Sequence, residues 1–156
     1  MSNAAKFTKE LDRNGILKNL SVLIVDDNEA ARNIMLKNCE LLGISSDAVS
    51  SGEEALSAIK TGSYDIVFLD WRMSDLDGLE TTNQIYALKN LKKMPKIVIV
   101  TAYNRDDIMK EFAGTKIGGV LVKPITTSDL LNAIMNTDEL SDAMQETINR
   151  VELSLE

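Results

Sequence analysis

The sequence predicts an α/β fold: a parallel sheet of five strands with helices on both faces. Short apolar runs rich in β-branched residues recur at 22–25, 65–69, 97–100 and 119–122, with a weaker run at 45–49, and segments of helical periodicity separate them. Hydrophobicity within the strong runs is continuous rather than alternating, so both sheet faces are covered, as in parallel sheets flanked by helices. In such folds the functional crevice lies at the carboxyl ends of the strands.

Each element carries its own signal. The first run, Val22-Leu23-Ile24-Val25, ends in Asp26 and Asp27. The second, Ser45 to Val49, is more polar, and Ser51-Gly-Glu-Glu54 after it fits a capping box opening a helix. The third, Ile66-Val67-Phe68-Leu69, stops at a lone acid, Asp70. Thr101 follows the fourth run, and Asn104 can cap the next helix. Lys123 follows the fifth, and Thr126-Thr-Ser-Asp129 is a second capping-box pattern. Residues 1–19 read as a polar lead-in that Leu17 and Leu20 anchor, and Met1-Ser2-Asn3-Ala4 resembles a cloning scar. Residues 137–156 form a separate amphipathic segment. Asp138 can cap a helix whose apolar positions Leu140, Met144, Ile148, Val151 and Leu155 recur at helical spacing. That helix either packs on its own domain or serves as a linker or homodimer-forming helix.

Composition removes several classes of function. A chain of 156 residues with 44% apolar content fits one domain with a modest extension. A net charge of -7 and pI near 4.7, with no basic run longer than Lys92-Lys93, argue against direct nucleic-acid binding. Cys39 is the single cysteine, so no internal disulfide forms, which suits a reducing, cytoplasmic setting. Histidine is absent. That excludes Ser-His-Asp and Cys-His catalysis, imidazole zinc ligation and a phosphorylated histidine in this chain. No apolar stretch is long enough for a membrane span.

Carboxylate, hydroxyl and lysine chemistry remains. Asp26, Asp27, Asp70, Thr101 and Lys123 all fall at carboxyl ends of predicted strands, hence at one edge of the sheet. Three pooled carboxylates repel one another unless a cation or proton sits among them, and a hard cation such as Mg²⁺ takes oxygen ligands. Asp70 is then placed as a nucleophile able to form an aspartyl phosphate, with the Lys123 ammonium and Thr101 hydroxyl addressing the phosphoryl oxygens. Singly, each residue has a plainer reading as a cap, a β-former or a loop lysine. Five at one edge are better explained together.

The runs Val22-Leu-Ile-Val-Asp-Asp-Asn28, Ser51-Gly-Glu-Glu-Ala-Leu56, Tyr64-Asp-Ile-Val-Phe-Leu-Asp-Trp-Arg-Met73, Asp77-Gly-Leu-Glu80, Val100-Thr-Ala102 and Val122-Lys-Pro-Ile125 resemble the receiver domains of two-component response regulators. The likeness covers about Leu20 to Asn136, so the receiver domain is expected over residues 20–136. It implies a flavodoxin-like, doubly wound sheet of order 2-1-3-4-5, a strand order for which the general α/β rules cite a receiver protein as an example. It further implies Asp70 as phosphoacceptor, Asp27 as a direct Mg²⁺ ligand, Asp26 as a ligand mainly through water, and the backbone carbonyl of Arg72 completing the set. Thr101 and Lys123 would contact the phosphoryl group, and the Lys123-Pro124 bond would be cis. The phosphoryl group would come from a phosphohistidine on a histidine kinase or histidine phosphotransfer domain, necessarily another molecule. Such a domain catalyses its own phosphorylation and dephosphorylation and is not itself a kinase.

Two positions depart from that pattern. Val120 stands where the family usually has Tyr or Phe, the ring that swings inward on phosphorylation, and Tyr103 is the nearest aromatic. Ser74 replaces a frequent proline. Arg72 and Tyr103 occupy positions that in this family tune attack of water on the acyl phosphate. These departures define an alternative, a degenerate pseudo-receiver acting only in protein interaction. A haloacid dehalogenase-type hydrolase is disfavoured, because Arg72 stands where that family typically has a second Asp. The lead-in Leu17-Lys-Asn-Leu-Ser-Val22, the Asp70-Trp71 pair and Thr101-Ala-Tyr103-Asn104 look like receivers embedded in hybrid sensor histidine kinases. The chain ends about 20 residues past the last receiver helix, too short a span for an output domain, which favours an excised relay domain.

Overall fold

The computed structural model describes residues 17–136. Most of the lead-in, and the helix expected from Asp138, lie outside the described residues. Five strands alternate with five helices: β1 (Ser21–Val25), α1 (Glu29–Leu41), β2 (Ser45–Val49), α2 (Gly52–Thr61), β3 (Ile66–Asp70), α3 (Gly78–Tyr86), β4 (Lys96–Thr101), α4 (Arg105–Glu111), β5 (Gly119–Val122) and α5 (Thr127–Met135). All pairings are parallel, in the order β2-β1-β3-β4-β5. The expected fold class and strand order are those observed.

Alternation of side chains across the strands builds two cores. Val22, Ile24, Ile66, Phe68, Val98 and Val100 point to the face covered by α1 and α5, where Met35, Cys39, Leu130 and Ile134 meet them. Leu23, Val25, Val67, Leu69, Ile97 and Ile99 point to the other face, against Ala55 and Ile59 of α2, Ile85 of α3 and Ile108 of α4. Leu17 and Leu20 are buried in the first core, as expected. β2 is half exposed along its length, which explains its weaker apolar signal at the sheet edge. Among the described residues no helix is long and apolar enough to cross a membrane.

The helix starts follow cap chemistry. Asn28, Asp77 and Asn104 accept the amides of Ala31, Glu80 and Asp106 at 2.9, 2.8 and 2.7 Å. Thr126 and Asp129 form the complete capping box expected of them. At α2 only half of the expected box is present. Ser51 accepts the Glu54 amide at 3.1 Å, while the Glu54 carboxylate takes the Ser50 hydroxyl. The free first-turn amides of Gly52 and Glu53 donate instead to Asp75, each at 3.2 Å. A loop acid thus supplies what the local sequence does not.

Candidate functional site

Strand register assembles the site. Val25 is paired with Leu69, so Asp26 and Asp70 are next neighbours across β1 and β3. Asp70 pairs with Val100, and Thr101 pairs with Val122, which puts Lys123 one step beyond. One carboxylate oxygen from each of Asp26, Asp27 and Asp70 lies within 4.8 Å of the others. Asp26 and Asp70 are buried, and Asp27 is exposed. All five residues singled out from sequence therefore meet at the carboxyl edge of the sheet.

Lys123 is the counterion. Its Nζ lies 3.0 Å from Asp26 Oδ2 and 3.1 Å from Asp70 Oδ1. Burial alone would lower its pKa, but the bonds to Asp26 and Asp70 outweigh that and hold the ammonium above its ordinary value. Asp70 moves the opposite way from a typical paired acid. Burial first, then the Asp26 charge, push its carboxyl up to about 6 against the pull of Lys123. One lysine does not neutralise three carboxylates. An all-oxygen donor set with this residual charge fits a hard divalent cation such as Mg²⁺.

Local bonds fix the other members. The second Asp26 oxygen accepts the Asn28 amide at 2.9 Å, and Arg32 Nη1 donates to the Asp26 carbonyl at 2.9 Å. Thr101 Oγ1 accepts the Tyr103 amide at 2.9 Å, so its own proton stays available for an oxygen in the cleft. The Lys123 amide donates to the Thr101 carbonyl at 2.7 Å, and Lys123-Pro124 is cis, as the resemblance implied. The Arg72 guanidinium sits over the Tyr103 ring, 4.5 Å from its centroid. Tyr103 is exposed, and Val120 is buried in the second core among aliphatic neighbours. The two readout positions thus differ: a valine packed inside, an aromatic held outside by Arg72.

Sequence reasoning missed three features. The Ser74 amide donates to Asp27 Oδ2 at 3.2 Å, and Asp75 clasps α2 as described. An apolar cavity of about 390 Å³ also opens beside Asp26, Asp70 and Lys123, walled by Ile34, Met35 and Ile125 among others. The amide contact carries no side-chain signature, and Asp75 bonds to amides 23 and 22 residues away. The cavity is a property of how α1 sits on the sheet.

A flavodoxin-like sheet with three acids, a threonine and a lysine at one edge defines a class of small signalling domains built like the chemotaxis protein CheY. Residues 22–135 match the family model described as the response regulator receiver domain, and the chain belongs to that family. Chemotaxis protein CheY-3 of Vibrio cholerae is 33% identical over 114 residues, which span 72% of this chain and 87% of that protein. Ethylene receptor 2 of Arabidopsis thaliana is 33% identical over 137 residues, 81% of this chain but 17% of the receptor. Aerobic respiration control sensor protein ArcB of Escherichia coli is 30% identical over 135 residues, 86% of this chain and again 17% of the relative. The chain thus corresponds to about a sixth of these two longer relatives. Among solved structures, a CheY-like receiver domain from Methylobacillus flagellatus superimposes with a TM-score of 0.68 at 34% identity, covering 74% of this chain and 96% of that one. The receiver domain of a Pseudomonas aeruginosa sensor histidine kinase, solved with a magnesium ion in its active-site cleft, has the same fold: TM-score 0.66, 23% identity, 74% and 94% covered.

Proposed function

We propose that this receiver domain is a phosphoacceptor switch in which Asp70 takes a phosphoryl group from a phosphohistidine. The observation that carries the reading is the joint placement of Asp70 with Asp26, Asp27, Thr101 and Lys123 at one strand edge. Asp26, Asp27, Asp70 and the backbone carbonyl of Arg72 are the proposed Mg²⁺ ligands, the first mainly through water. The cation would offset carboxylate repulsion and draw charge from the phosphoryl oxygens. A carboxylate oxygen of Asp70 attacks phosphorus, the P–N bond breaks, and the donor imidazole leaves. Lys123 holds one phosphoryl oxygen by charge, and Thr101 donates its hydroxyl proton to another. Phosphorylation adds about two negative charges at a buried position, and movement of Thr101 would transmit the change to β4, β5 and α4.

The chain contains no histidine, so the donor is another molecule, a histidine kinase or histidine phosphotransfer domain. The share of the longer receptor and sensor relatives that it matches supports a relay domain of a hybrid sensor histidine kinase, with residues 20–136 as the receiver. A cytoplasmic location and no direct contact with nucleic acid agree with the acidic composition and lone cysteine. Residues 137–156 would serve as the linking or dimer-forming helix. The test is incubation with Mg²⁺ and a small acyl phosphate, followed by intact mass of the wild type and D70N. The wild type gains one phosphoryl group and the variant none; equal masses in both remove the reading.

The packed Val120 and outward Tyr103 favour a second reading, a pseudo-receiver that binds a partner without phosphorylation. It expects Trp71, adjacent to Asp70, to show no fluorescence response to Mg²⁺, whereas the phosphoacceptor expects a saturable one.

A further inference from the structure

We infer that Ser74 and Asp75 are positioning residues for the acidic cleft: the Ser74 amide orients the Asp27 carboxylate, and Asp75 anchors the segment that carries that amide. The inference rests on the Mg²⁺-binding reading above. Asp26 is buried, and both of its oxygens are held, one by the Asn28 amide and one by Lys123. Asp27 is exposed, and among the described residues the Ser74 amide is the donor that reaches its carboxylate. An exposed acid held by one bond loses its orientation when that bond goes. Ligand carboxylates need such outer partners to stay aimed at a metal.

The amide is itself held in place. The Gly78 amide donates to the Trp71 carbonyl at 2.9 Å, closing the loop of residues 72–77 at its base. Midway along it, Asp75 takes the Gly52 and Glu53 amides at the start of α2, donors that a helix leaves unpaired and whose dipole favours a carboxylate. The joint is tight: a Cβ on Gly52 would lie 2.5 Å from Thr81 Oγ1 and 3.0 Å from Leu76 Cβ. The loop cannot slide along α2 without breaking these contacts. Ser74 matters through its backbone, because proline at this position has no N–H to give.

The experiment is a Mg²⁺ titration of Trp71 fluorescence on the full chain, with melting temperature measured without metal. The variants are S74P, which removes the donor, S74A, which keeps it, D75A, which releases the clamp, and D75N, which retains an acceptor oxygen. S74P is expected to bind Mg²⁺ about tenfold more weakly than S74A, the lower end of the effect of losing an outer partner. D75A should weaken binding similarly relative to D75N, a comparison that stands even where S74P does not fold. Equal affinities within both pairs overturn the inference, as does a fall in melting temperature with unchanged affinity, which marks a purely structural loop. A wild type blind to Mg²⁺ removes the underlying reading along with the inference. A wild type that binds while the pairs stay equal removes the inference alone.

Discussion

Lys123 reaches Asp70 from two strands away, its Nζ 3.1 Å from Oδ1, while the same ammonium holds Asp26 at 3.0 Å. A single cation therefore compensates two buried carboxylates. Removing it in K123M leaves both acids without a partner. Breaking a fully buried pair costs about 3–5 kcal/mol; Lys123 is one-third exposed, so a smaller loss of about 1–2 kcal/mol is expected near neutral pH. Urea unfolding in EDTA measures it. Added Mg²⁺ should return part of the loss; a variant as stable as the wild type without metal contradicts this assignment of Lys123.

The raised carboxyl of Asp70 gives stability a definite pH dependence. The folded pKa of about 6 exceeds the ordinary 3.8, so between these values the native state binds more protons than the unfolded chain. Stability from this group is then fully present below about pH 4 and falls as pH rises through 6. A shift of about two units corresponds to roughly 2–3 kcal/mol. Comparing wild type with D70N in EDTA across pH 4–7.5 isolates the contribution: only the wild type should lose it, and Mg²⁺ should flatten the slope. A wild type that gains stability relative to D70N over this window contradicts the shift.

Thr81 is fully buried in α3, and its hydroxyl has no hydrogen-bond partner among the described residues. An unpaired buried hydroxyl is destabilising. T81V keeps the shape and removes that group, so a gain of about 1 kcal/mol, or a few degrees in melting temperature, is expected. A lower melting temperature would show that the hydroxyl is satisfied in solution.

Cys39 is buried in α1, and burial pushes its thiol up to about 11 against a weaker opposing hydrogen bond with Ser46. The thiolate is the reactive form. Alkylation at pH 8 should be slow in the native protein and fast in denaturant. Rapid native labelling would contradict this packing of α1.

The fold was legible because each strong strand announced itself as a continuous apolar run, and because sheet register converts strand ends into neighbours. Asp26 beside Asp70 follows from Val25 pairing with Leu69. What stayed hidden depends on contacts that side-chain identity does not encode. Ser74 acts through a backbone amide, and Asp75 completes a helix start that the capping-box pattern at Ser51 assigned to Glu54. The fate of the readout positions was legible only as a substitution. That Val120 packs inward while Arg72 covers an outward Tyr103 needed the tertiary structure.

The central claim is that Asp70, among three neighbouring acids, is the phosphoryl acceptor. Borohydride reduction of the acyl phosphate, formed with Mg²⁺ and a small acyl phosphate donor, converts a phosphorylated aspartate to homoserine, which peptide mass analysis locates. The account predicts homoserine at position 70 alone, and none when Mg²⁺ is chelated. Homoserine at position 26 or 27, or no reduction product in Mg²⁺-loaded protein, would contradict it.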